Sequence, residues 1–141
     1  MSKKKAKTAA QLAEACATDL QLLVRLKAAD DNGYCQCWTC QKIDHYKQMQ
    51  GGHFIERGRT ATKLVEENIH PQCPYCNLRK MKTASGVLLY RGAMVDMYGE
   101  DAVKALELLS RETNKWNRED IAALHADIRE QIRYHQDRVG G

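Results

Sequence analysis

Apolar side chains recur with different rhythms along the chain. From Thr8 to about Ala29, Leu12, Cys16, Leu20, Leu23 and Val24 follow a helical period; Thr8 is placed as an N-cap and Asn32-Gly33 as a stop, so one long helix is expected. Residues 34–70 lose this period. Gly51-Gly52 and Gly58 punctuate short apolar or β-branched runs around His53-Phe54-Ile55 and Lys63-Leu64-Val65, a pattern that predicts two short strands. Pro74 suits the first turn of a short helix over Tyr75 to Lys82. Beyond Ser85-Gly86 the helical period returns through Val87, Leu88, Tyr90, Met94, Val95 and Tyr98 to a terminating Gly99. It resumes over residues 100–113 through Val103, Leu106, Leu108 and Leu109, and these helices are expected to be mostly core. Asn117 reads as the cap of a last helix reaching about Arg138. Trp116 and Ile121 are placed as its hydrophobic staple, and Leu124, Ile128 and Ile132 share one face.

At 141 residues, with 43% apolar and 28% charged side chains, the chain has material for one core. Residues 8–141 are expected to form a single domain in three parts: an N-terminal helix over 8–32, a compact middle over 33–84 and a helical part over 85–141. The lysine-rich residues 1–7 are expected to be disordered. No run of eighteen apolar residues occurs, and Met1-Ser2-Lys3-Lys4-Lys5 leads into an amphipathic stretch, the pattern of a cytoplasmic protein without a membrane span or secretory signal.

The net charge of +4 is unevenly placed: residues 57–91 carry 7 Lys/Arg against 2 Asp/Glu, whereas residues 92–141 carry 7 against 10. Phosphates reward clustered Lys and Arg by releasing condensed counterions, so the basic middle points to a polyanionic partner. Arg57, Arg59, Lys63, Arg79, Lys80 and Lys82 are its candidate contacts.

Six cysteines lie at positions 16, 35, 37, 40, 73 and 76. Without an export signal a disulfide framework is disfavoured, and Cys37-Trp38-Thr39-Cys40 with Cys73-Pro74-Tyr75-Cys76 has the spacing of a four-thiolate zinc site. The two knuckles stand 32 residues apart, so folded material is expected between them. Cys35 is an alternative to Cys37, although a CxxC pair closes around zinc more easily than CxxxxC. Cys16 reads as a small core residue. Trp38 and Tyr75 are expected to pack around the zinc; His125 and His135 carry no further signal.

Between and just after the knuckles stand Gly52-His53, Asn68 and Asn77, with intervals of 15 and 9 residues from His to Asn to Asn, and Asn77 directly follows the fourth cysteine. This arrangement resembles the HNH nucleases of the ββα-metal class, which place a His on the first strand, an Asn before the second knuckle and a His or Asn immediately after it. A longer set is similar to the lambdoid phage NinG (Rap) proteins over roughly residues 20–135. It comprises Gly52-His53-Phe54, the run Glu66-Glu67-Asn68-Ile69-His70-Pro71-Gln72-Cys73-Pro74-Tyr75-Cys76-Asn77, Lys80, Gly86, Tyr90 and Tyr98-Gly99-Glu100-Asp101-Ala102-Val103.

The resemblance implies an α+β fold: a zinc-stapled ββα-metal core wrapped by the N-terminal helix and about three C-terminal helices. It implies an endonuclease that cleaves branched recombination intermediates, Holliday junctions and D-loops, by Mg²⁺- or Mn²⁺-dependent hydrolysis that leaves 5′-phosphate and 3′-hydroxyl ends. His53 is the expected base, since an imidazole neutral near pH 7 can take a proton from water. Asn77 is expected to offer its carbonyl oxygen to a hard cation that keeps most of its waters, and Asn68 to bridge backbone groups of the loop holding His53. Four thiolates leave no open position, so the zinc is structural. Many HNH enzymes carry an Asp directly before the catalytic His; Gly52 stands there instead, which resembles the ββα-metal nucleases that hold Mg²⁺ through one Asn and waters. Glu56 and His70 are candidate auxiliary ligands or phosphate contacts. Symmetric cleavage of a four-way junction needs two active sites, so a homodimer is expected. Two other readings fit the same residues: a sequence-specific HNH endonuclease of the restriction or homing type, and a zinc module that binds nucleic acid or protein without catalysis.

Overall fold

The computed structural model describes residues 6–113 and 116–140; residues 1–5 of the expected disordered tail lie outside the described residues. Thr8 opens α1 (Ala9–Ala28) with a full capping box, its hydroxyl accepting from the Gln11 N–H at 3.2 Å and the Gln11 side chain accepting from the Thr8 N–H at 2.9 Å. Beyond α1, the Asp30 carboxylate gathers the N–H groups of Asn32 and Tyr34, and Gly33 takes φ +90° against the His45 ring. That turn feeds β1 (Tyr34–Gln36), antiparallel to β2 (Ile43–His45), and the loop between them carries the first knuckle. A second antiparallel pair, β3 (Gln50–His53) and β4 (Ile69–Gln72), sets His53 opposite Ile69, and α2 (Pro74–Leu78) follows β4 almost at once. Three further helices complete the mixed α+β chain: α3 (Ala84–Tyr98), α4 (Glu100–Leu109) and α5 (Arg118–Arg138), the last capped by Asn117, which accepts from the Asp120 N–H at 2.8 Å.

The strands depart from the periodicity in two places. The first ends at His53, and its body is Gln50-Gly51-Gly52, of which the two glycines read as turn-formers in the sequence. Both glycines serve close approach instead: a Cβ on Gly51 would lie 2.6 Å from Gln21 Cβ of α1, and one on Gly52 would lie 1.7 Å from Gln72 Oε1. Lys63-Leu64-Val65 is not the second strand; these residues lie in and just beyond a turn, ahead of a 3₁₀ turn at Glu66–Asn68, and the strand is Ile69–Gln72. This strand contains Pro71. The N–H and C=O of a strand residue point to the same side, and the Pro71 carbonyl turns away from β3 to accept the Trp38 N–H at 2.9 Å, so the ladder loses no donor. The helix expected over Tyr75 to Lys82 is α2 plus a separate 3₁₀ turn at Lys80–Lys82.

Two apolar clusters flank the β3–β4 hairpin. In the larger one α1 packs on α5 through Cys16, Leu20, Leu23, Ile121, Ile128 and Ile132, with Ile69 of β4 included. His125 bonds Asp19 across this interface at 2.5 Å. The smaller cluster joins Tyr90, Met94, Val103 and Leu106 to Phe54, Ile55 and Val65. The late helices are less buried than their period suggests, since Leu88, Leu89, Met97 and Leu108 are exposed. No described helix is long and apolar enough to cross a membrane.

Gly51 and Gly92 supply a matched test of this packing. Gly51→Ala forces α1 off β3 and is expected to lower unfolding free energy by about 1–3 kcal/mol. Gly92→Ala, in open space on α3, is expected to raise it by roughly 0.5–1 kcal/mol. Urea unfolding of the two variants measures both.

Candidate functional site

The loop between β1 and β2 brings Cys37 and Cys40 against Cys73 and Cys76 at the β4–α2 junction, and the four sulfurs lie within 4.8 Å of one another. Cys40 and Cys73 Sγ are 3.7 Å apart. Tetrahedral thiolates at about 2.3 Å from one zinc stand about 3.8 Å from each other, so the cluster can bind a metal such as zinc. Burial raises the Cys37 thiol, but backbone N–H groups of Cys40, Cys73 and Thr39 outweigh it and bring the group down to about 7, which favours the ligating thiolate. Cys35 is not in the cluster. It sits in the apolar core, where burial pushes its thiol up to about 11, as it does for Cys16.

His53 ends β3 half-buried, with Nε2 3.0 Å from the Lys63 carbonyl oxygen. A carbonyl only accepts, so Nε2 carries the proton and Nδ1 keeps its lone pair. Burial lowers the His53 pKa to about 4, against the Lys63 hydrogen bond that favours the protonated ring and with the Arg57 and Lys63 charges, so the imidazole is neutral at pH 7. Asn68 is fully buried and closes the loop that supplies that carbonyl. Its side chain accepts from the Ile55 N–H at 2.8 Å and donates to the carbonyls of Ile55 and Thr62 at 3.0 and 3.2 Å. Asn77, on α2 directly after Cys76, donates Nδ2 to Gln50 Oε1 at 2.7 Å, and no described residue donates to its Oδ1. His53 and Asn77 line one cleft of about 330 Å³, together with Gln21, Glu56 and Arg57.

The remaining candidates divide. Glu56 lines the cleft, exposed and 3.7 Å from Arg59. His70 is not available as a ligand: its Nδ1 meets the Tyr90 hydroxyl at 3.0 Å, its Nε2 meets the Tyr98 hydroxyl at 2.8 Å, and Trp38 stacks on the ring at 3.6 Å. The Tyr90 hydroxyl donates to the Gly52 carbonyl at 2.7 Å, so this aromatic chain braces the residue beside His53. Trp38 packs as expected inside the first knuckle, while Tyr75 stays 63% exposed. Arg57 and Lys63 are not free basic side chains, since both pair with Glu14 of α1. Arg79 and Lys82 are exposed, and Lys80 is half-buried.

Sequence reasoning gave no role to four polar residues around the cleft. Gln50 holds the Asn77 amide; Gln21 donates to the Gly51 carbonyl at 3.0 Å; Arg25 stands one helical turn beyond Gln21; and Gln72 donates to Thr39 Oγ1 at 2.6 Å, while its Oε1 is buried without a hydrogen-bond partner. The i, i+4 spacing of Gln21 and Arg25 was the available signal for that pair.

A family model described as bacteriophage Lambda NinG protein matches residues 1–137. No curated protein matches the chain, and no solved structure matches it.

Metal analysis of the purified chain is expected to give one zinc per molecule, lost on Cys40→Ser or Cys76→Ser and retained on Cys35→Ser. A pH series tests the buried histidines. Burial lowers His70 to about 3, as it lowers His53 to about 4, whereas an unfolded His titrates near its ordinary 6.5. Each group stabilises the fold fully above pH 6.5 and loses that contribution as pH falls, at up to about 1.4 kcal/mol per pH unit per proton. His70→Gln is expected to remove about one proton from the uptake on unfolding between pH 6 and 5, read from urea midpoints.

Proposed function

The chain belongs to the bacteriophage lambda NinG family, and from that premise we propose that it is a metal-dependent endodeoxyribonuclease acting on branched recombination intermediates of the Holliday-junction or D-loop type. In this reading β3, β4 and α2 are its ββα-metal unit. The observation that carries the proposal is the cleft in which a neutral imidazole with a free Nδ1 and a carboxamide with a free Oδ1 share one lining.

The donor set suits a Mg²⁺ or Mn²⁺ ion that keeps most of its waters: Asn77 Oδ1 and the Glu56 carboxylate are hard oxygens beside open space, and His70 is excluded. When bound, the cation supplies charge stabilisation at the phosphate and at the departing oxygen. The protein's own part is proton transfer and placement. His53 Nδ1 takes a proton from a water whose oxygen bonds to phosphorus, the P–O3′ bond breaks, and the 3′ oxygen takes up a proton. Lys63 fixes the tautomer that leaves Nδ1 basic, and Asn68 holds the loop that carries Lys63. Gln50 takes the amide nitrogen of Asn77, so the carbonyl is the atom left for the cation. The proposal includes a homodimer, since a four-way junction is cut symmetrically by two centres; exposed Leu89 and Met97, about two turns apart on α3, offer apolar contacts for it.

Cleavage of a four-way junction and of random-sequence duplexes in Mg²⁺ tests the reading. His53→Ala and Asn77→Ala, each with full zinc content, are expected to cut at least about 100-fold more slowly. Unchanged activity in both removes the assigned roles. Equal cutting of junction and duplex removes the branched-substrate claim, and fixed cut sites on linear DNA favour a sequence-specific HNH endonuclease. Binding without any cutting leaves a non-catalytic zinc module.

A further inference from the structure

The cleft around His53 shares Gln21, Gly51 and Asn77 with a neighbouring space of about 210 Å³, whose other lining residues are Arg25, Met49 and Gln50. This space contains one charge and no carboxylate. Arg25, on α1, is held by backbone carbonyls: Nε donates to Gln21 O at 3.1 Å, and Nη1 donates to Tyr46 O at 3.1 Å and Met49 O at 3.0 Å. Those bonds leave Nη2. No described residue accepts from it, and it is not among the buried atoms that lack partners, so it reaches solvent.

The other half-buried arginines among the described residues all answer to carboxylates: Arg57 to Glu14, Arg91 to Glu100 and Glu107, and Arg138 to Asp31. Arg25 does not. Carbonyls satisfy its N–H groups without neutralising its charge, and a partly desolvated cation favours an anion that arrives from outside. Its fork is already immobilised, so little side-chain entropy is lost when a tetrahedral anion meets Nη2.

We propose that Arg25 is a phosphate-binding residue, contacting a non-bridging oxygen of the nucleic-acid backbone across Gly51 and Asn77 from His53. The ligand class rests on the nuclease reading, but the test does not, because binding is read without catalysis. The zinc-loaded full chain is titrated with labelled junction and duplex DNA by fluorescence anisotropy, without added divalent cation, across 50–200 mM salt.

Arg25→Gln is expected to weaken both complexes about 10-fold or more and to reduce the slope of log K against log salt by about one. Arg25→Lys keeps the slope with weaker binding, and Arg111→Gln, an exposed change in the turn that follows α4, alters neither. The Arg25 Nε–H resonance of the wild-type chain supplies a readout that survives a folding failure of Arg25→Gln. It should move with oligonucleotide at concentrations where inorganic phosphate leaves it in place. Unchanged affinity and slope in folded Arg25→Gln overturn the proposal, as does a wild-type chain that binds no DNA. Saturation of the resonance by inorganic phosphate at the oligonucleotide's concentration overturns it in favour of a free-anion site. DNA binding that depends on Arg25 in a chain that never cleaves sustains this inference and sinks the nuclease reading.

Discussion

Hairpins of three and four residue pairs do not hold themselves together in water, and the four-sulfur junction is the constraint that makes the middle of this chain a body. Cys37 and Cys40 leave one hairpin; Cys73 and Cys76 join the other to α2. Around them the Trp38 N–H meets Pro71, Gln72 reaches Thr39, and Trp38 covers His70. Metal affinity at such a junction is folding free energy, because the unfolded chain has no preformed site. The same junction fixes where α2 begins, and with it the place of Asn77 relative to the strand that ends in His53.

The cleft lining sets a neutral imidazole beside the carboxamides of Gln21 and Asn77, groups that offer lone pairs without the desolvation cost of buried ions. Glu14 reaches over from α1 to hold Arg57 and Lys63, so the loop that orients His53 is tied to the same helix that places Gln21 on β3. The N-terminal helix is thus part of the site as well as part of the core.

What the sequence made legible follows from which contacts are local. The period and cap of α1, the Asn117 cap of α5 and the two knuckles depend on neighbours within a few residues, and each stands where its spacing puts it. His53, Asn68 and Asn77 were found by their fixed distances from the knuckles, and one cleft brings the first and last together. The strand limits were not legible, because Gly51 and Gly52 exist for the sake of Gln21 and Gln72, residues remote in the chain. His70 is a candidate auxiliary ligand or phosphate contact in the sequence because it is ionisable and near the site; the tyrosines that claim it come from α3, 20 and 28 residues later. A carboxamide that acts by contacts remote in the chain has no period to show its role, so Gln50 stands outside every motif and Gln72 inside one without an assigned task, although one orients Asn77 and the other fills the space beside Gly52.

Gly52 and Gln72 amount to a single decision written twice. The amide of one occupies the volume that any side chain on the other would need, so a carboxylate at position 52 requires that amide to leave it, by giving up Thr39 or by a shorter residue at position 72. Without either change the corner is overpacked beside the imidazole. Substitutions at positions 52 and 72, which stand diagonally across the β3–β4 pair, are therefore coupled.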